Sequence, residues 1–373
     1  MIKKLIKYAS NIPGWRTNRK IVVIESDDWG SIRMPSNDTR DKLLSLGLPM
    51  GGAERQRYTN YDTLASKEDL EVLFDTLQKH KDMHANHPKI TAVSVVANPD
   101  FDKIKVNNFT QYFYEPFTIT LKRYGLNDAF KMWQLGVKED LFIPQFHGRE
   151  HLNIAVWLRN LQNGNKNTMK AFEHQCWGYA NENPLEIDYQ AAFDLEFKED
   201  ITIQKQVVKE GLALFEKIHG YKADFFVPPN GPFNNQLEKT SFDGGIKYIS
   251  STKIQKEPQG QGKLKIKFHW LGQTNSNTQK YITRNCFFEP SDASKDWVAS
   301  CLFDIDTAFK YKKPAVISSH RVNYIGGLNE KNRIFGNLKL ANLLKSITTK
   351  WPDVEFMTSD QLGELIRKES ENG

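Results

Sequence analysis

Short apolar runs and amphipathic segments alternate along most of the chain. The first run, Ile21–Ile24, has four β-branched or otherwise strand-favouring residues in a row, which is typical of a strand covered on both faces. Similar runs predict strands at 90–97, 141–146, 224–227, 246–250, 281–285, 314–319 and 354–357. Helical spacing of apolar residues predicts helices at 39–46, 154–161, 201–219, 296–310 and 337–350, and others starting at 66 and 359. Because strands alternate with helices, the pattern predicts an α/β fold with a parallel sheet.

The stretch 251–270 departs from this alternation. Leu264, Ile266 and Phe268 alternate with lysines after a glycine-containing turn at 259–262, which predicts a β-hairpin inserted into the α/β pattern. The chain has no internal repeat, low-complexity tract or long linker. We therefore expect one domain over residues 20–373, preceded by a short lead-in at residues 1–19.

Composition narrows the classes of function. The net charge is +6, and the basic residues are spread among acidic ones, so no nucleic-acid groove is indicated. The three cysteines are far apart and form no zinc or redox spacing, which favours free thiols in a reducing, cytoplasmic compartment. No segment is long enough to span a bilayer. The basic N-terminal segment 1–8 predicts only a weak contact with a membrane surface.

Polar side chains stand where three of the predicted strands end: Asp27 and Asp28, then His147 and His151, then His320. In parallel barrels the carboxyl ends of the strands meet at one rim, where chemistry gathers. Two histidines four residues apart share a helical face, and with a carboxylate they suit a divalent ion, zinc in the first instance, that keeps an open position for water. A second carboxylate would accept the proton of that water, and a histidine opposite would protonate a leaving group.

These residues stand in motifs that resemble the polysaccharide deacetylases of carbohydrate esterase family four. The similar segments, in the family's order, are Ser26-Asp27-Asp28, His147-Gly148-Arg149-Glu150-His151 and Ile317-Ser318-Ser319-His320. The resemblance implies a distorted (β/α)7-type barrel that hydrolyses N- or O-acetyl groups on a sugar of a polysaccharide or glycan precursor. It further implies the roles of five residues: Asp27 as base, His320 as acid, and Asp28, His147 and His151 as ligands of a zinc-like metal.

Two further motifs are similar but weaker, Phe226-Val227-Pro228-Pro229-Asn230-Gly231 for the pocket wall and Asp296-Trp297 for the fourth motif. The resemblance thus implies a substrate pocket that we expect to include Trp29, Pro229, Asn230, Trp297 and Arg321. Trp29 stands where the family has a glycine, and Val227 stands where it has an arginine that braces the catalytic aspartate. Another arginine is therefore expected to orient Asp27. Arg321 is the first candidate because it directly follows His320 at a strand end, and Arg284, at another short predicted strand, is the second.

Other functions fit parts of the pattern. The departures at Val227 and Asn230 fit a non-catalytic carbohydrate-binding protein that keeps the metal pocket. The spacing His147-x-x-Glu150-His151 also fits a zinc peptidase, but that motif requires a helix, and Pro144 and Gly148 oppose one. A glycosidase with Asp27 and Glu289 as its carboxylate pair is a further alternative.

Overall fold

The computed structural model describes residues 8–371, and its centre is a nine-stranded sheet. Residues 1–7, which carry most of the expected basic membrane contact, lie outside the described part. The strands of the chain are β1 Lys20–Trp29, β2 Ile90–Val95, β3 Ala97–Pro99, β4 Tyr114–Pro116, β5 Phe142–Gly148, β6 Phe225–Phe226, β7 Tyr248–Ser250, β8 Ile254–Pro258, β9 Leu264–Phe268, β10 Lys280–Ile282, β11 Cys286–Phe287, β12 Ala315–His320 and β13 Val354–Met357.

All pairs in the large sheet are parallel. Its order is β10-β7-β6-β5-β2-β1-β12-β11, and β13 pairs with the first half of β1. Within residues 8–371 the end strands β10 and β11 do not pair with each other, so the curled sheet forms an open barrel. Strands β3 and β4 form a separate antiparallel pair, and so do β8 and β9. The predicted fold, a distorted parallel barrel with an inserted hairpin, is confirmed.

Helices flank the sheet and connect its strands. They span Asn37–Ser45, Ala53–Tyr61, Lys67–Gln78, Phe101–Val106, Phe117–Arg123, Ala129–Lys138, Ile154–Gln162, Lys166–Glu173, Ile201–His219, Gln236–Asp243, Trp297–Lys310, Glu330–Lys350 and Ser359–Glu371, with 3-10 turns at Lys198–Asp200 and Arg321–Asn323. Among the described residues, none of these helices combines the length and the apolar character needed to cross a membrane.

The helix predicted at 337–350 begins earlier than expected, at Glu330, after the cap residue Asn329. Its first turns contain Asn332 and Asn337, which are buried although they are polar. Asn332 donates hydrogen bonds to the carbonyls of Val322 and Ile325, so its burial leaves its amide protons paired. A search for apolar periodicity misses these turns because the helix uses amides on its buried face.

The two faces of β1 pack differently. Val22 and Ile24 join the core between the sheet and the helices, whereas Ile21 and Val23 join a cluster on the concave side of the sheet. The last helix contributes Leu362 and Ile366 to that inner cluster. Because successive residues of a strand face opposite ways, the same alternation directs Glu25 and Asp27 into the interior.

The described part of the lead-in packs on the barrel through its backbone. The Nζ of Lys313 donates hydrogen bonds to the carbonyls of Pro13, Gly14 and Trp15, at 2.8, 2.6 and 2.7 Å. Burial lowers the pKa of the Lys313 ammonium to about 8. The lead-in is thus attached to the end of the helix–strand connection that precedes β12.

Candidate active site

The two adjacent carboxylates of β1 lie at a bulge. In a regular strand, neighbouring side chains point to opposite faces. Between Ser26 and Trp29, however, β1 advances one residue more than its partner β2, and Asp28 has a φ of +75°. This extra residue changes the direction in which the following side chains point, as bulges beside active sites do. Asp27 and Asp28 therefore both line one cavity.

Strand β5 carries a matching irregularity. Phe146 pairs with Ser94, but the next pair joins Gly148 to Val95, so His147 is the extra residue. Gly148 has a φ of +123°, which favours glycine, and a Cβ there would lie 3.1 Å from the carbonyl oxygen of Glu150. The bulge directs His147 toward the same cavity.

His151 lies in the turn between β5 and the helix that begins at Ile154. The prediction that His147 and His151 share one helical face was therefore wrong. His147 is held in a strand by pairing with β2, and the chain turns after Gly148. The two imidazoles still approach closely, with 5.0 Å between ring centroids.

Asp28, His147 and His151 form a buried three-residue group that could hold a metal ion. Asp28 Oδ1 lies 3.4 Å from His147 Nε2 and 3.1 Å from His151 Nε2. Bonds of about 2.0–2.2 Å to a tetrahedral zinc would separate ligand atoms by roughly 3.3–3.5 Å. The Nδ1–H of His147 donates to the carbonyl of Val227 at 2.7 Å, which leaves Nε2 as a buried lone-pair nitrogen without a hydrogen bond. The residues present thus fit a divalent ion.

The protonation of Asp28 agrees with this interpretation. Burial by itself would raise the pKa of its carboxyl group, but the charge and hydrogen bonds of the neighbouring imidazoles, which a bound cation would replace, outweigh burial and hold the pKa well below its ordinary value. A ligand carboxylate must be ionised to bind a cation. Asp28 therefore meets this requirement at neutral pH.

Arg284, not Arg321, contacts Asp27. Its two terminal nitrogens donate to Asp27 Oδ2 and Oδ1 at 2.7 and 2.6 Å, and its Nε donates to Glu25 Oε2 at 2.5 Å. Burial opposes ionisation of Asp27, but the charge and the hydrogen bonds of Arg284 outweigh it and lower the pKa of Asp27. Burial instead dominates at Glu25 and raises its pKa. Asp27 is thus kept ionised and oriented by a bidentate cation.

His320 faces Asp27 from the next strand, with 3.9 Å between its Nε2 and Asp27 Oδ2. Its Nδ1–H donates to Glu289 Oε1 at 2.6 Å, and Glu289 is itself held by Arg57 and Asn323. Burial would lower the pKa of His320, but the carboxylate of Glu289 outweighs it and raises the pKa to about 9. His320 is therefore an imidazolium at neutral pH.

The sequence interpretation did not connect Glu289 with His320. It placed the fourth motif at Asp296-Trp297, but Asp296 caps the helix Trp297–Lys310, and Trp297 donates through Nε1 to the carbonyl of Asp292. Neither residue lines the cavity. Glu289 lies two residues after the end of strand β11, at the same rim as the other site residues, and this position is the signal that would have indicated it.

Trp29 was expected to line the substrate pocket, but it does not. The extra residue of the bulge turns its ring to the helix side of the sheet, where it packs against Phe142 and Trp133 with centroid distances of 4.7 and 6.3 Å. Its Nε1–H donates to Ser26 Oγ at 3.0 Å. Trp29 therefore supports the strand from behind the cavity.

Arg321 is also outside the cavity. It begins the 3-10 turn that follows β12, so it does not continue the strand that holds His320. Its fully buried guanidinium donates to Asp62 Oδ1 at 3.1 and 2.8 Å and to the carbonyl of Ser31 at 2.6 Å. Its expected contact with Asp27 is corrected: Arg284 occupies that position, and Arg321 forms a separate buried ion pair.

The cavity has a volume of about 710 Å³. Asn230 lines its rim with a φ of +54°, whereas the expected pocket residue Pro229 is buried and does not contribute to the lining. The cavity is also lined by the hydroxyl-rich segment 250–252 and two exposed rings, Phe287 and Phe303, which were not among the pocket residues expected from the sequence. The cavity thus combines titratable groups at its base with hydroxyl and aromatic groups at its mouth.

The chain was compared with known proteins. No protein-family model matches it, and no curated protein matches it. Several solved structures, however, are similar to it. One described as a probable polysaccharide deacetylase from Pseudomonas aeruginosa PAO1 is 10% identical, with 93% of this chain and 91% of that chain covered and a TM-score of 0.49. The allantoinase PuuE is 13% identical, with 96% and 95% covered and a TM-score of 0.49. The peptidoglycan deacetylase PdaC from Bacillus subtilis is 12% identical, with 95% and 94% covered and a TM-score of 0.35.

Polysaccharide deacetylases are therefore among the structural neighbours of this chain over nearly its whole length. Likeness at such identities concerns the fold alone. Since parallel barrels host many chemistries, the function has to come from the geometry of the site.

Proposed function

We propose that this protein is a metal-dependent hydrolase that removes acetyl groups from a sugar of a polysaccharide or glycan precursor. One observation carries the proposal. An ionised carboxylate, Asp27, and a protonated imidazole, His320, face each other beside the three-residue ligand group. Such a base and acid accelerate hydrolysis of an amide or ester, because the base takes a proton from water and the acid protonates the leaving group.

The two residues have complementary roles. Asp27 accepts a proton from water as the water oxygen bonds to the acetyl carbonyl carbon. His320 then donates its proton to the sugar nitrogen or oxygen as the bond from that atom to the carbonyl carbon breaks, which releases acetate. Arg284 keeps Asp27 ionised beforehand, and Glu289 keeps His320 protonated.

Asp28, His147 and His151 would hold the metal, for which zinc suits the donor set of two imidazoles and one carboxylate. A divalent ion in such a site supplies a Lewis acid that lowers the pKa of water to about 7. The carbonyl of Val227 fixes the tautomer of His147 that this role requires.

The mouth of the cavity suits a carbohydrate. Sugar rings present hydroxyl groups at their edges and C–H groups on their faces. The segment 250–252 offers hydroxyl partners, and the exposed ring of Phe287 offers an apolar face. We further propose a cytoplasmic location, since the three cysteines lie far apart in the sequence and form no zinc or redox spacing, which is typical of a reducing compartment.

Acetate release from a panel of N- and O-acetylated glycans tests the proposal. Wild type should release acetate with added zinc and lose activity with a chelator. Asp27→Asn and His320→Gln should retain metal and lose about 10²–10⁴-fold in rate. Stoichiometric metal with no turnover on any acetylated glycan would favour the non-catalytic carbohydrate-binding alternative.

Two alternatives lack support from the geometry. In a peptidase of the H-x-x-E-H type, Glu150 would face the reacting water, but its Oε1 accepts from Arg149 Nε at 2.6 Å in a buried pair. A glycosidase needs one carboxyl group that stays protonated, whereas the pKa values of Asp27 and Glu289 are both lowered.

A further inference from the structure

The inserted hairpin β8–β9 has an uncovered apolar face. Ile254, Leu264, Ile266 and Phe268 are 50–65% exposed. The pairs Ile254–Phe268 and Lys256–Ile266 are directly opposite in the antiparallel register, so these side chains share one face. The other face packs on the barrel through buried Gln255 and Glu257. The exposed side chains thus form a continuous patch, which we call the hairpin face.

The hairpin also concentrates positive charge. Between Ile254 and Phe268 there are four lysines and one glutamate, a net charge of +3, which is half of the chain's net +6. The glutamate, Glu257, is buried, lies 3.4 Å from Lys267 and accepts from the backbone N–H of Asn235. Lys256, Lys263 and Lys265 are exposed. Apolar side chains and lysines therefore alternate at the surface of one short element.

We infer that the hairpin face docks on an anionic lipid surface. Exposed aliphatic and aromatic side chains enter the boundary between headgroups and acyl chains, while neighbouring lysines contact anionic headgroups. A second copy of this chain is a poorer occupant, because pairing two hairpin faces would bring like charges together. Charge complementarity thus selects an anionic surface.

The hairpin adjoins the cavity, so docking would also position the proposed active site. The segment 250–252, which lines the cavity, leads directly into Ile254 at the start of β8. Docking would therefore bring the mouth of the cavity close to the lipid headgroups. If the proposed deacetylase function holds, the substrate class this favours is a glycan attached to, or assembled at, a membrane surface.

Vesicle cosedimentation of the full-length protein tests the docking separately from any activity. Wild type should bind vesicles made from equal parts of phosphatidylserine and phosphatidylcholine, should bind pure phosphatidylcholine far less, and should lose binding as salt is raised. Ile266→Ser/Phe268→Ser should weaken binding about tenfold or more. Lys256→Gln/Lys263→Gln should weaken it about 25-fold, at roughly fivefold per lysine.

Matched controls come from elsewhere on the surface. Ile334 and Phe335, 59% and 46% exposed, offer the same residue types on the helix Glu330–Lys350. Ile334→Ser/Phe335→Ser and the exposed-lysine variant Lys81→Gln/Lys138→Gln should bind like wild type. All four variants change exposed side chains, so unchanged thermal midpoints and metal contents should verify their folding.

Three results would overturn the inference. One is absence of wild-type binding to the anionic vesicles, and another is an equal loss of binding in the control variants. The third is a concentration-dependent dimer that Ile266→Ser/Phe268→Ser abolishes, since it would assign the hairpin face to a second copy. None of these results bears on acetate release, so docking and the proposed hydrolysis fail independently.

Discussion

At the scale of single residues, Arg284 has the most consequential contacts in the site. It lies between two buried carboxylates, Glu25 and Asp27, and its charge is the main influence that opposes burial at Asp27. A catalytic base must be ionised, so the rate should fall only when the pH drops below the lowered pKa of Asp27. The pH at which the rate falls on the acidic side of the profile therefore measures how far Arg284 lowers the pKa of Asp27.

Arg284→Met should move that limb to higher pH, because the main influence that opposes burial at Asp27 is then lost and its pKa rises. Metal content should stay unchanged. The measurement is kcat/KM for acetate release against pH. Arg321→Met is the matched control, since it also breaks a buried arginine–aspartate pair. Both variants should lose about 3–5 kcal/mol of stability, but only Arg284→Met should shift the limb. Equal shifts in the two variants would contradict the role of Arg284.

Glu289 has the corresponding role for the acid. Glu289→Gln keeps an oxygen acceptor for Nδ1–H of His320 but removes the charge that raises its pKa. The basic limb of the rate profile should move from about 9 toward the ordinary histidine value of roughly 6.5. The rate at pH 6 should change little in comparison with the rate at pH 8. A basic limb that stays near its wild-type position would exclude His320 as the titrating acid.

The raised pKa of His320 also makes the stability of the folded protein depend on pH. The pKa of His320 is raised in the folded state, so its favourable contribution is complete below about 6.5 and is lost as pH rises through about 9. In the free energy of unfolding measured across this range, Glu289→Gln should lack that decline. The comparison requires metal-free protein, so that metal binding does not add its own pH dependence.

At the scale of elements, two bulges create the site. Each adds one residue to a strand at its carboxyl end, in β1 at Asp28 and in β5 at His147, and each turns one of the proposed metal ligands toward the cavity. The φ of +75° at Asp28 is a conformation that side chains with a Cβ adopt at a cost, which aspartate and asparagine tolerate better than most residues.

Substitution of Asp28 should therefore depend on the backbone as well as on charge. In metal-free protein, Asp28→Gly should be more stable than Asp28→Ala by about 1–2 kcal/mol, because glycine adopts positive φ without strain. Thermal unfolding of the two variants checks this expectation. Both variants, and Asp28→Asn, should lose metal. An alanine variant as stable as the glycine variant would mean that the bulge relaxes when the carboxylate is absent.

At the scale of the whole molecule, the three proposed ligands join β1 to β5 and the turn beyond it, across the middle of the sheet. A bound ion would link these elements in the folded state, while the unfolded chain has no such site. We expect one divalent ion per chain by elemental analysis. At a free metal concentration about 100 times Kd, the gain in stability should be about 2.7 kcal/mol.

His147→Ala and His151→Ala should lose both the bound ion and the metal-dependent rise in the thermal midpoint. His84→Ala is the control, because its exposed imidazole lies in the turn between the helix Lys67–Gln78 and β2, outside the site. Retention of a full equivalent of metal in His151→Ala would overturn the ligand assignment.

The sequence by itself determined the alternation of β1, the parallel α/β architecture, the inserted hairpin and the gathering of polar residues at strand ends. These features follow from local rules: period-two burial, helical periodicity, and the meeting of parallel strands at one rim. His147 and His151 were predicted as a pair from their spacing alone, although a strand end and a turn, not a helix, bring them together.

Only the tertiary structure decided which side chains surround the two acid–base groups. Arg284 meets Asp27 across 257 positions of sequence, and Glu289 meets His320 because β11 pairs with β12. Trp29 faces away from the cavity because of the bulge in β1, and Arg321 because it lies in the 3-10 turn after β12 and pairs with Asp62. Such partners depend on register and on packing between distant segments, and local patterns carry no information about either.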